Sequence, residues 1–279
     1  MTFRCAIGRS LLGALLWTAV AVVSGSAETF PDFESQWRNP ASDRAGWDPS
    51  KPAGSAQQAP LTPEYQAIFE ASLRDQAAGG RGNNYQSSCV LDGMPRLMNL
   101  GAPMEILIQP GLTFFIFQNA FARRIHTDGA LMPAGEPPSY QGYSTGKWVD
   151  EDHDGRFDVL EIETHNFKGP RALDASGLPL HKDNQTLVKE RLFLDKNDKD
   201  ILRNEITTID KAFTRPWTVG KNYQRVHNPR WSEYHCQPPS NAVFIGLDEY
   251  RLGPDGRLMP LYDNQPPPDM RYFKPPQAR

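Results

Sequence analysis

From residue 89 to residue 262 the chain is cut into short runs with a two-residue period, each closed by turn-forming residues. The first two are Met-Glu-Ile-Leu-Ile-Gln at 104–109 and Leu-Thr-Phe-Phe-Ile-Phe-Gln-Asn at 112–119, split by Pro110-Gly111. Further runs span 123–127, 157–163, 186–195, 200–210, 216–226, 231–236, 243–251 and 257–262. Asp128-Gly129, Asp154-Gly155, Asp-Lys-Asn-Asp at 195–198 and Pro254-Asp-Gly256 punctuate them. A period of two sends alternate side chains to opposite faces of a strand, and no strand–helix alternation is present among these runs. The pattern predicts an all-β fold over residues 89–263, an antiparallel barrel or sandwich. It excludes doubly wound and (β/α)8 folds, which need strand–helix alternation.

Residues 28–88 read differently. Up to residue 60 they are rich in Pro, Ser, Gly and Ala, with Trp37 and Trp47 as isolated aromatics, and this predicts an extended arm. Thr62-Pro63-Glu64 then opens one amphipathic helix over about 62–78. Thr caps it, Pro occupies its first turn, and Tyr65, Ile68, Phe69 and Leu73 recur at helical spacing before Gly79-Gly80. The stretch 264–279, which contains Gln265-Pro-Pro-Pro268, reads as a Pro-rich tail with polyproline character.

Residues 1–27 have the form of a secretory signal peptide. Arg4 and Arg9 precede an apolar run at 11–23, and Gly25-Ser26-Ala27 offers a cleavage site. The run is shorter than the ~20 residues that span a bilayer, so no transmembrane segment is expected after cleavage. The expected location is periplasmic or secreted. The whole chain carries 30 basic and 33 acidic residues; without Arg4 and Arg9 the balance is 28 − 33 = −5. That sign gives no general attraction to nucleic acid. Of three cysteines, Cys5 lies in the leader, and export makes Cys89 and Cys236 the expected disulfide. The alternative is a reactive Cys236 beside His235.

Five strings carry a resemblance. Gly93-Met-Pro-Arg96, Arg123-Arg-Ile-His-Thr-Asp-Gly129, Gly177-Leu-Pro-Leu-His181, Glu190-Arg191 and Thr214-Arg-Pro-Trp-Thr-Val219 are similar to an uncharacterised family of exported bacterial β-rich proteins. The resemblance covers about residues 89–236. It implies export and an all-β body, for which a lipocalin-like barrel is an architectural analogy only, and no particular chemistry.

The densest local pattern is Asp150, Asp152, Asp154, Asp158 and Glu161, at positions 1, 3, 5, 9 and 12 of a calcium-loop spacing. Gly155 stands at position 6, the Arg156 carbonyl at 7 and Phe157 at 8. Alternating carboxylates point inward while the glycine allows the sharp turn, so calcium is the expected ion. Hard oxygen ligands disfavour zinc, despite the intervening His153. The flanks are not the helices of an EF-hand, and a Glu161 on a strand can point away from the ion. A solvated acidic hairpin tip is the bland alternative.

Three further sets are candidates. Arg124, His126 and Asp128 share one strand face opposite Arg123, Ile125 and Thr127, and would line an anion site or a plain solvent face. His181 and Glu190 would form an acid–base pair with Arg124 holding an anionic group; otherwise Glu190 is a buried acid satisfied by Arg96 or Arg124. Trp217, Val219 and Tyr223 form an aromatic stripe with Lys221 between them, suited to an apolar ligand or to simple core packing. Arg96, Trp217 and Tyr223 complete the expected ligand-binding set. No Gly-x-Ser-x-Gly, His-Glu-x-x-His, nucleotide-loop or haem motif is present.

The expectation is an exported barrel-like protein that binds a small, partly apolar molecule between sheet and helix, with a structural calcium loop. The first alternative is a periplasmic isomerase, lyase or hydrolase using His181 and Glu190. The second is a structural envelope module.

Overall fold

The computed structural model describes residues 29–40, 46–78, 80–88, 90, 92–99, 101–233, 242–245, 248–252, 256–260 and 265–272. The leader at 1–27, His235 and both Cys89 and Cys236 lie outside the described residues, as do the last seven of the tail. Nine strands close into one barrel in sequence order: β1 (Gln36–Arg38), β2 (Met104–Gln109), β3 (Leu112–Phe117), β4 (Arg123–His126), β5 (Tyr143–Val149), β6 (Val159–His165), β7 (Leu187–Leu194), β8 (Ile201–Ile209) and β9 (Trp217–Arg225). A separate antiparallel sheet holds β10 (Ala242–Ile245), β11 (Asp248–Leu252) and β12 (Leu258–Pro260). The fold is all-β with a single α-helix among the described residues, α1 (Pro63–Ala77). That helix is not long and apolar enough to cross a membrane.

One barrel junction departs from the antiparallel pattern. β4 runs parallel to β5, with Ile125 opposite Ser144 and His126 opposite Thr145. A parallel neighbour needs a connection long enough to return to the starting end, and residues 127–142 provide it. Two strands were not legible in the sequence. β1 lies within the expected arm and closes the barrel by pairing antiparallel with both β2 and β9. β5 lacks apolar alternation because two of its inward positions are Ser144 and Gly146. A Cβ on Gly146 would lie 2.7 Å from Ile125 Cγ2, so the close approach of β4 favours glycine there. The expected run 243–251 is two strands, β10 and β11, and residues 231–233 form no strand.

The helix starts where its sequence predicts. Thr62 is the N-cap, its Oγ1 accepting from the Tyr65 amide at 3.4 Å, and Pro63 fills the first position. The Thr62 amide donates to the Ala212 carbonyl at 2.8 Å, which ties the helix start to the β8–β9 turn. Ser72 Oγ donates to the Ser176 carbonyl at 3.2 Å, so α1 lies along the loop that leads into β7. The opposite end is closed by aromatic rings. Phe30 packs 5.0 Å from Trp148 and 5.4 Å from Phe157, centroid to centroid.

The barrel interior is filled. Ile125, Leu160, Val188, Leu192, Leu202 and Ile206 are fully buried on its inner face. A 3-10 turn, Arg96–Asn99, brings Leu97 and Met98 to full burial beside them. Tyr223 Oη donates to the Met98 carbonyl at 2.7 Å, and Lys221 Nζ donates to Asn99 Oδ1 at 2.6 Å. Lys221 also donates to the Trp47 carbonyl and sits 4.3 Å over the Trp47 ring, which pins the arm to β9. These side chains and the arm thus take up the barrel interior.

Candidate functional site

The expected site residues scatter. Arg124 stacks over the Phe114 ring at 5.5 Å on the outside of the barrel. His126 stacks on Tyr143 at 4.7 Å, and Asp128 Oδ1 accepts from the Ala130 amide at 3.0 Å in the following turn. The inward face of β4 is the other one, carrying Arg123 and Ile125. Trp217 and Tyr223 face the interior and pack in the core.

His181 and Glu190 are not brought into a pair. His181 lies beside α1, with Nδ1 2.8 Å from Asp183 Oδ1 and its ring 5.2 Å from that of Tyr65. Asp183 is held well below the usual carboxylate range, first by a hydrogen bond from Lys211 and then by the Gln185 amide. Glu190 lies inside the barrel, where Arg123 Nη2 and Asn204 Nδ2 occupy its two oxygens, the latter at 2.9 Å. Its partner is Arg123 in place of the expected Arg96 or Arg124. The physical reason is parity: Arg123 shares a strand face with Ile125, and Ile125 must be inside.

The acidic loop brings together three of its five expected carboxylates. Carboxylate oxygens of Asp150, Asp152 and Asp158 lie within 4.8 Å of one another. Gly155 has φ +87°, and its amide donates to Asp150 Oδ2 at 2.9 Å. Asp154 instead accepts from the Arg156 amide at 2.8 Å. Glu161 also stands apart, because on β6 it lies between Lys147 and Arg191 on the outer face. The strand geometry turns it away from the loop.

Arg96 leads to a pocket. A Cβ on Gly93 would lie 2.0 Å from the Tyr140 carbonyl oxygen. Glycine therefore lets the Met94 amide donate to that carbonyl at 3.0 Å, and residues 92–96 pack directly on 139–141. Arg96 Nε then reaches Asp92 Oδ1 at 3.0 Å, while its Nη2 donates to Asn84 Oδ1 at 2.8 Å and Gln86 Oε1 at 3.0 Å. Burial raises the Asp92 pKa, and the Arg96 charge opposes that shift.

Beside this knot opens a cavity of about 220 Å³, mostly apolar, lined by Asp92, Ala120, Phe121, Ser139, Tyr140, Gln141 and Lys168. Phe121 is 66% exposed, which leaves an aromatic face in water at the pocket rim. Gln141 Nε2 donates to the Phe121 carbonyl at 2.7 Å and fixes that rim. Lys168 Nζ sits 4.9 Å over the Tyr140 ring and makes no ion pair among the described residues. Asp92 is already neutralised by Arg96, so the free charge of the site is positive. Sequence reading missed Phe121, Tyr140 and Lys168, since none lies on a strand. The available signal was an aromatic after Asn119-Ala and another after Pro137-Pro138-Ser.

A wider concavity of about 520 Å³ covers the outer face of β5–β9. Its charges answer one another: Lys189 lies 3.2 Å from Glu163, and Arg191 contacts Glu151 and lies 3.9 Å from Glu205. A self-neutralised, open surface of this kind is an ordinary solvated sheet face. No family model, curated protein or solved structure matches the chain, so the site stands on its own geometry.

Proposed function

We propose that this is an exported β-barrel protein that binds a small, partly apolar anion, of the aromatic carboxylate class, in the pocket beside Gly93 and Arg96. The observation that carries the reading is Lys168, an ammonium without an acidic partner among the described residues, poised over Tyr140 at the mouth of an apolar pocket rimmed by exposed Phe121. A flat ring would stack against Phe121 and Tyr140, and its carboxylate would meet Lys168. The cavity is small against the ~300–1,000 Å³ of drug-sized sites, which limits the occupant to about one ring. Export is supported by the leader-like residues 1–27 and by the family resemblance. The loop at 150–161 would take a calcium ion in a structural role, with Asp150, Asp152 and Asp158 as its carboxylate ligands and Arg156 supplying its backbone carbonyl.

Benzoate is the probe. Calorimetric titration with benzoate, and with benzyl alcohol as the neutral counterpart, measures whether charge and ring are both read. Saturable benzoate binding is expected, weakened about 10-fold by Lys168→Met, as befits one charge-assisted hydrogen bond. Equal affinity for benzyl alcohol, or no change in Lys168→Met, would overturn the assignment.

A further inference from the structure

Trp47 meets the barrel through the same three groups that a free amino acid would offer. Its amide donates to Asp174 Oδ2 at 2.8 Å, its carbonyl accepts from Lys221 Nζ, and its ring lies 4.3 Å from that ammonium. Asp174 and Lys221 are each only 1% exposed. Among the described residues neither forms an ion pair. A buried anion and a buried cation thus both end on the uncharged backbone of one residue, where a charged partner would compensate them better.

The two charges keep their places without Trp47. Asp174 Oδ1 accepts from the Ser176 amide at 2.9 Å and from the Ser176 hydroxyl at 2.6 Å, which leaves Oδ2 to face Trp47. Lys221 Nζ also donates to Asn99 Oδ1 at 2.6 Å. Trp47 itself fits less well. Its Nε1 is buried with no hydrogen-bond partner, although a buried indole N–H ordinarily finds one. Asn204 Oδ1, on β8 opposite Lys221, is a buried acceptor that likewise has no donor.

The segment that carries Trp47 is wound around its own Gln57. Gln57 Nε2 donates to the carbonyls of Asp48 at 3.0 Å, Lys51 at 3.1 Å and Pro52 at 2.8 Å, and its Oε1 accepts from the Asp48 amide at 2.6 Å. The root of the loop is fixed to the turn between β8 and β9, where the Thr214 amide donates to the Pro60 carbonyl at 2.7 Å.

We propose that an aromatic α-amino acid binds in the slot of Trp47, its carboxylate on Lys221, its ammonium on Asp174 and its ring in place of the indole, and that residues 46–58 are the lid it displaces. Both backbone contacts of Trp47 then become charge-assisted at each end, which roughly doubles the strength of such a bond. A ring not tethered to residues 46 and 48 is also free to turn its N–H toward Asn204. The lid lifts as one piece because Gln57 holds it together and Pro60 anchors it. The slot shares no residue with the Lys168 pocket and reads a positive as well as a negative ligand charge, so either can fail alone.

The test is calorimetric titration of the full chain with L-tryptophan, followed also by backbone NMR. Saturable binding is expected, with shifts throughout residues 46–58 and at Asp174 and Lys221. Indole-3-propionate, which lacks the ammonium, and tryptamine, which lacks the carboxylate, are each expected to bind at least ~10-fold more weakly. Lys168→Met is expected to leave the affinity for L-tryptophan unchanged. Trp47→Gly removes the internal competitor and is expected to tighten binding at least ~10-fold, because a closed lid lowers the apparent affinity by the fraction of open chains. If that variant fails to fold, the wild-type ligand series decides alone. No saturation in the wild type, equal binding of indole-3-propionate, or a folded Trp47→Gly with no gain would overturn the proposal. Loss of binding in Lys168→Met would overturn it too, since the ligand would then sit in the other pocket.

Discussion

Arg123 and Glu190 meet inside the barrel, the guanidinium of β4 on the carboxylate of β7, with both side chains at most 1% exposed. Two strands separate them in the sheet, so barrel closure and not local sequence makes the pair. Thr164 Oγ1 accepts from Arg123 Nη2 at 2.8 Å, Ser144 Oγ accepts from its Nε at 3.2 Å, and Asn204 Nδ2 donates to Glu190 at 2.9 Å. Each charge is thus paired and also hydrogen-bonded, the condition under which an interior ion pair is tolerated.

Removing one partner strands the other. Glu190→Ala or Arg123→Ala is expected to cost about 3–5 kcal/mol of unfolding free energy in urea. The double variant Arg123→Met with Glu190→Leu is expected to lose far less than the sum, because no lone charge is left in the core. Single-variant losses under ~1 kcal/mol would show that water reaches the pair.

Lys221 makes stability depend on pH. Burial pushes its pKa down to about 7, with Asp174 and Asp48 opposing the shift. The folded state therefore binds fewer protons than the unfolded one between about pH 7 and the ordinary lysine value of ~10.4. Stability contributed by this group rises with pH across that window, and below it the buried ammonium is a constant burden. Lys221→Met is expected to flatten that rise. The measurement is the difference between wild-type and variant unfolding free energies from pH 6 to 10; parallel curves would show that Lys221 stays charged throughout.

The same interior shows how far a sequence can be read. Alternation separates Arg123 and Ile125 from Arg124 and His126, and it places Trp217, Val219, Lys221 and Tyr223 on one face. Which face is inward follows only from the most apolar member, and Ile125 decides it for β4. The helix was legible because Thr62, Pro63 and the spacing of Tyr65, Phe69 and Leu73 are local signals. β5 was hidden because its inward Ser144 and Gly146 are dictated by neighbours, Arg123 above one and Ile125 against the other. The Lys168 pocket was hidden for a related reason. Its walls come from four loop segments, and loop side chains carry no period.

Gly93 tests the support of that pocket. Its missing Cβ leaves room for the Tyr140 carbonyl, a backbone atom that cannot rotate away. Gly93→Ala is expected to separate residues 92–96 from 139–141 and to destabilise by about 1–3 kcal/mol, as overpacking does. Benzoate binding is expected to fall with it, because Tyr140 would shift relative to Lys168. An unchanged melting temperature together with unchanged binding would mean the two segments are not coupled.

Calcium is the last expectation, and its size depends on concentration. An ion that binds only the folded chain stabilises by about 2.7 kcal/mol at 100 times its Kd. Melting temperature is expected to rise with added calcium and to fall on chelation. Asp152→Asn, which removes one of the three converging carboxylates, is expected to erase the rise. Glu161→Gln is expected to leave it in place, since Glu161 lies on the outer sheet face with Lys147 and Arg191. That contrast separates a short loop site from a full twelve-residue one. Equal loss in both variants would mean that Glu161 swings in when the ion arrives, and a melting temperature indifferent to chelator would remove the ion altogether.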